Sequence, residues 1–95
     1  MSKVEILKEA RRLIKTRAED FVCVAIRMSH VEAPPEDYHQ LRKWIRSMLE
    51  GHYVLDDWVE ENVPGATEVY LWKEKLRVTR LAWIDWMIQQ LEEKL

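Results

Sequence analysis

The sequence predicts an all-α protein, a compact bundle of about four helices with a long last helix, and three observations carry that prediction. Hydrophobic residues make up 47% of the chain and charged residues 34%, too apolar a mixture for a disordered segment. Two glycines and three prolines among 95 residues are too few turn formers for a many-stranded sheet. Apolar residues also recur at three- and four-residue spacing along most of the chain, the period of a half-buried helix. The length suits one helical domain over residues 1–95.

Each element has its own local reason. Ser2 can cap a first helix while Glu5, three residues on, reaches back to the cap, which is the capping-box pattern. Leu7, Ile14, Phe21 and Met28 then recur every seven residues, so one apolar stripe predicts a helix over about 3–28, interrupted by Arg11. Asp20, standing before an apolar run, is a possible second N-cap, so a bend or restart there is equally compatible with the pattern. Residues 29–35 read as a loop through the Pro34–Pro35 pair, and Pro35 followed by Glu36 and Asp37 suits the first turn of a second helix over 35–50. Its apolar positions are Tyr38, Leu41, Trp44, Ile45, Met48 and Leu49, and Gly51 ends it. A short helix over 56–62 follows, with Asp56 and Asp57 as its caps and Asn62-Val63-Pro64-Gly65 as its stop. Thr67 can cap a final helix over 68–93, which carries two apolar stripes: Leu81, Ile84, Ile88, Leu91 and Leu95, and beside it Trp72, Leu76, Trp83 and Met87. The second and last helices are expected to pack antiparallel through Tyr38, Leu41, Ile45 and Leu49 against Leu81, Ile84, Ile88 and Leu91.

Composition excludes several classes of function. Fifteen Lys and Arg against seventeen Asp and Glu give a net charge of −2, so no overall basic field gathers a nucleic acid duplex. The longest uncharged apolar run, residues 21–26, is far short of a membrane span or a signal-peptide core. One cysteine excludes an intramolecular disulfide and a cysteine-based zinc site, and it fits a reducing cytoplasm. Gly51 and Gly65 stand alone, so no glycine-rich phosphate loop exists. His30, His39 and His52 never share a helix face at the spacing of a metal motif, and no metal or other cofactor is expected. Cys23, inside Phe-Val-Cys-Val-Ala-Ile, reads as a small buried hydrophobe rather than a nucleophile. The adjacent acids Asp56-Asp57 and Glu60-Glu61 point in different directions on a helix and read as a cap and a solvated face, not as a general acid and base. The chain is expected not to be an enzyme.

Binding residues are easier to find. Trp44 and Trp58, flanked by apolar positions, belong to the expected core. Trp72, Trp83 and Trp86 are harder to bury together, so at least one is expected to line a groove or a subunit contact. Basic side chains form two helical stripes, Lys8, Arg12 and Lys15 on the first helix, and Lys73, Arg77 and Arg80 on the last. Like charges one turn apart repel by a few tenths of a kcal/mol, about 0.2–0.5, so each stripe needs an answering anion. For the first stripe the expected answer is the acidic middle, where residues 31–68 carry nine acidic and three basic side chains. For the second it is a ligand: Trp72, Lys73, Arg77, Arg80 and Trp83 make up the candidate binding set, with arginines on phosphate oxygens and a tryptophan face on a base. Asp85 borders the core stripe and is expected to pair with a local arginine or a helix N-terminus rather than with a ligand.

Three stretches resemble a family of small, mostly uncharacterised proteins of tailed bacteriophages and prophages. They are Phe21-Val22-Cys23-x-Ala25-Ile26, then Ile45-x-x-Met48-Leu49-x-Gly51 continuing to Leu55 and Trp58-Val59, and Thr79-Arg80-Leu81-Ala82-Trp83-Ile84-Asp85-x-Met87-Ile88. The third is the most specific. The resemblance implies a protein made in an infected bacterial cytoplasm, and it brings no catalytic residues with it. Small phage proteins often act by binding, including against components of bacterial defence. Two expectations follow. One is a ligand-sequestering homo-oligomer that takes an anionic, nucleotide-like small molecule. The other is an inhibitor or adaptor that sets the acidic face of residues 50–68, with Glu50, Asp56, Asp57, Glu60 and Glu61, against a basic host protein.

Overall fold

Ser2 accepts the amide of Glu5 on its hydroxyl oxygen at 3.2 Å and donates that hydroxyl to the Glu5 carboxylate at 3.1 Å, which starts the first helix where the sequence places it. The computed structural model describes residues 2–29, 36–65 and 72–93, with side chains from residue 76 onward in the last stretch. Within these residues the protein is all helical. Its helices are α1 (Lys3–Lys15), α2 (Val22–Ser29), α3 (Glu36–Leu49), α4 (Leu55–Asn62) and α5 (Trp72–Glu93). Of the expected loop 29–35, Ser29 instead ends α2 and the rest lies outside the described residues, as do the Thr67 cap, the start of the last helix at 68 and Leu95.

The expected first helix over 3–28 is two helices. α1 stops in a Schellman turn: the Arg17 amide donates to the Ile14 carbonyl at 3.1 Å, and the Ala18 amide to the Leu13 carbonyl at 2.9 Å. Arg17 sits at the left-handed position usually taken by glycine, with φ +64°. α2 then restarts after Glu19, not Asp20, takes the amides of Asp20 and Phe21 on its carboxylate. The break resets the angular phase. Val22, Ala25, Ile26 and Ser29 become the buried line of α2, while Phe21 and Met28, the last two members of the expected continuous stripe, are exposed. Cys23 falls on the flank of α2 and is exposed, which corrects its reading as a buried hydrophobe.

Later boundaries follow local chemistry more closely. Gly51, at φ +88°, lets the chain leave α3, and His52 donates its amide back to the Leu49 carbonyl at 3.0 Å. α4 begins at Leu55, so Asp56 and Asp57 occupy its first turn, where they favour the helix dipole, rather than its cap; Val54 is the cap residue. Gly65, at φ +79°, lies just past its end.

One core receives side chains from all five helices: Ile6, Leu7, Ala10 and Ile14 of α1, Ala25 and Ile26 of α2, Leu41 and Ile45 of α3, Trp58 and Val59 of α4, and Trp83, Ile84 and Met87 of α5. Its organiser is α1, which lies against α2, α3 and α5. The most extensive neighbour of α5 is α1, which corrects the expected pairing of α3 with α5. The small side chain of Ala10, fully buried, allows a close approach. Polar rungs also lock the pair: Arg11 binds Asp85 through Nε at 2.6 Å and Nη2 at 3.4 Å, and Lys8 meets Glu92 at 3.6 Å. Because the higher-numbered residue of α1 meets the lower-numbered residue of α5, the two helices run antiparallel. α3 reaches α5 through Trp44, whose ring stacks on Trp86 at 6.3 Å and 15°. No described helix is long and apolar enough to cross a membrane.

Candidate functional site

Trp44, Trp58, Trp83 and Trp86 settle into a cluster between α3, α4 and α5. Trp58 meets Trp83 edge-on at 6.1 Å and Trp86 edge-on at 4.9 Å, while Trp44 stacks on the far side of the same group. Trp44 and Trp58 are core residues, as expected, with Trp44 partly exposed. Trp83 is 1% exposed, so it presents no ring face to a ligand and leaves the candidate binding set. The physical reason is the angular position of Trp83 beside Ile84 and Met87, which together form the most buried line of α5. Among the described residues its indole N–H meets no acceptor.

The rest of the α5 set is spread out. Arg80 lays its guanidinium 5.1 Å from the centre of the exposed Phe21 ring, an association of cation and aromatic face. Arg77, one turn earlier, is half-buried. Trp72 and Lys73 lie on the described backbone of α5, and their side chains fall outside the described residues. Asp85 pairs with an arginine, but with Arg11 of α1, 74 positions away, rather than with a local one.

Two members of the basic stripe on α1, Lys8 and Arg12, meet acids that lie outside the middle segment. Lys8 meets Glu92, and Arg12 grips Glu9 three residues earlier with Nε and Nη2. The hydrogen bonds from Arg12, reinforced by its charge, hold the Glu9 carboxyl below the usual carboxylate range and raise Arg12 in return.

A cleft between α2 and α3 gathers charge that no acid answers. It encloses about 180 Å³ and is lined by Cys23, Val24, Ile26 and Arg27 of α2 and by Tyr38, Arg42, Ile45 and Arg46 of α3. Helical geometry explains the placement. Cys23 and Arg27 stand one turn apart on one flank of the buried line of α2, and Arg42 and Arg46 stand one turn apart beside the buried line Tyr38, Leu41 and Ile45 of α3. The floor is therefore apolar and the rim cationic. Arg42 lies over the Tyr38 ring at 5.7 Å. Among the described residues, no carboxylate pairs with Arg27, Arg42 or Arg46, and none lines the cleft. Sequence reasoning passed over these arginines, although Arg42 and Arg46 carry the same signal of repeated like charge that singled out Arg77 and Arg80. What no local pattern reveals is Arg27, which joins them only because α2 and α3 both lie against α1.

A wider opening of about 750 Å³ at the start of α1 is lined by Ser2, Lys3, Val4, Lys8, Asp37, Leu91 and Glu92. Its charges are of both signs, and Lys8 and Glu92 already meet. The described residues hold no group of three or more His, Cys, Asp or Glu side chains placed to bind a metal ion. On the opposite side of the chemistry stands the segment from Glu50 to Glu61. There Tyr53 is 98% exposed next to exposed Val54, and Glu50, Asp57, Glu60 and Glu61 are exposed around them. His52 approaches Glu61 at 3.7 Å.

Comparison with protein-family models, with curated proteins and with solved structures finds no match to this chain.

Proposed function

We propose that the protein is a non-enzymatic binding protein that sequesters an anionic, nucleotide-like small molecule, acting against a host defence signal in an infected bacterial cytoplasm. One observation carries this reading: three arginines from two helices face one cleft with no acid among the described residues to neutralise them. Holding like charges together costs free energy unless an anion lies between them. Guanidinium forks supply that partner's geometry, since their paired N–H groups match the oxygens of a phosphate. The site thus moves from α5, where Trp83 is buried, to the α2/α3 cleft. The partly exposed Leu81, Trp86, Ile88 and Leu91 of α5 support self-association as a homo-oligomer, two-fold by default.

Calorimetry with linear and cyclic nucleotides tests the reading on the wild type, on Arg42→Gln and Arg46→Gln, and on Arg77→Ala and Arg80→Ala. The α3 variants should lose about tenfold or more in affinity, and the α5 variants should bind close to normally. If no nucleotide binds, or if the α3 variants bind as well as the wild type, the reading fails.

A second reading is favoured by Tyr53, whose nearly complete exposure amid acids fits an aromatic anchor on an acidic docking face. Its partner would be a basic host protein, and the segment from Glu50 to Glu61 would act as inhibitor or adaptor.

A further inference from the structure

Resting on the sequestering function proposed above, we infer that the α2/α3 cleft takes hold of a phosphate chain and is blind to the base attached to it. Size is the first argument. The cleft encloses about 180 Å³, whereas sites that engulf a drug-sized ligand run from about 300 to 1,000 Å³. It admits the charged end of a nucleotide and leaves the remainder outside.

The floor supplies the second argument. Ile26, Ile45 and Tyr38 are 1%, 4% and 9% exposed, so these three side chains offer a base little surface to stack on. Base recognition in shallow sites depends on an open aromatic face. Among the described residues the only aromatic side chain in the lining is Tyr38, and Arg42 already lies over its ring at 5.7 Å. The four tryptophans with described side chains, Trp44, Trp58, Trp83 and Trp86, pack on one another on the α4 and α5 side of the core.

The rim supplies the third. Arg42 and Arg46 stand one turn apart, about 6 Å along the helix axis, so neighbouring phosphoryl groups of one chain can each meet a guanidinium. Arg27 closes the arrangement from α2. A single phosphate neutralises this rim only in part, and a chain of two or three matches it better. The ligand class is therefore a pyrophosphate or longer phosphate chain, whether free or at the end of a nucleoside.

Cys23 makes the proposal testable in place, because it is the only cysteine of the chain, is exposed and lines the cleft. Calorimetry with pyrophosphate, ATP and adenosine on the full chain gives the affinities. The rate of Cys23 alkylation by uncharged N-ethylmaleimide, with and without each compound, reports where they sit. Pyrophosphate and ATP should bind within about tenfold of each other, both should slow alkylation, and adenosine should do neither. Arg27→Gln, Arg42→Gln and Arg46→Gln should each weaken both phosphate compounds about tenfold or more. Lys43→Gln, which removes the same charge from the same helix outside the cleft, should leave them nearly unchanged, and circular dichroism checks that every variant is folded. If ATP binds and pyrophosphate does not, or if adenosine binds, the base or ribose is being read, and the inference fails while the sequestering function stands. If none of the three binds, and the nucleotide panel also fails, both fall. Binding that leaves alkylation of Cys23 unchanged, or that Lys43→Gln weakens as much as the cleft variants do, puts the ligand elsewhere and overturns the inference.

Discussion

Ile84 and Ile88 lie one turn apart on α5, and replacing each with alanine should give clearly different losses of stability. Ile84 is 0% exposed, between the buried Trp83 and Met87, while Ile88 is only partly buried at the edge of the core. Truncating Ile84 removes three carbons from a closed site, worth about 2.4 kcal/mol at about 0.8 kcal/mol for each. The space left behind adds about 1 kcal/mol if roughly 50 Å³ stays unfilled, at about 24 cal/mol per Å³. The sum, about 3 to 4 kcal/mol, is a large part of the total stability of about 5 to 15 kcal/mol expected for a domain. Ile88 faces solvent along part of its side chain, so its alanine variant leaves no closed cavity and should cost about 1 kcal/mol or less. Urea denaturation, followed by circular dichroism and by the fluorescence of the tryptophan cluster beside Ile84, measures both. The midpoint should fall while the slope stays constant, which marks a change in stability alone. Equal losses for the two variants, or a cost below about 1 kcal/mol for Ile84→Ala, would refute the packing of α5 described above.

Two further outcomes test the polar contacts. A double-mutant cycle on Arg11 and Asp85 should give a coupling of about 0.5 to 1 kcal/mol, the upper part of the range for partly exposed pairs, because two guanidinium nitrogens face the carboxylate; a coupling near zero would mean that the rung does not help to hold α1 on α5. An NMR pH titration should find the Glu9 carboxyl below the ordinary carboxylate range, and Arg12→Gln should bring it back up. Since the folded value is depressed, the pair's small stabilisation is fully present above the ordinary carboxylate pKa and is lost as pH falls through the lowered one; an unchanged Glu9 titration in the variant would disprove the assignment to Arg12.

By itself the sequence determined what neighbours along the chain can decide. The helical class follows from apolar period and scarce glycine. The start of α1 follows from Ser2 and Glu5, and the end of α3 from Gly51, because a hydroxyl within reach of an amide and a residue free to adopt positive φ act over three or four positions. The burial of Trp58 was legible for a similar reason, since its flanking residues place it against the core, whereas the partner of Asp85, Arg11, stands 74 positions away and was set by the packing of α1 on α5. Tertiary structure alone decided the rest. Residues 16–21 contain neither glycine nor proline, yet the chain turns there with Arg17 in a left-handed conformation, because folding α2 back onto α1 buries more apolar surface than one long helix can. That turn re-phased α2, exposed Cys23 and carried Arg27 to within reach of Arg42 and Arg46, while the meeting of α4 with α5 drew Trp83 inward. Neither the cleft nor the loss of Trp83 from the surface has a local signature: both depend on side chains far apart in sequence, whose meeting is set by the packing of whole helices rather than by the preferences of any one of them.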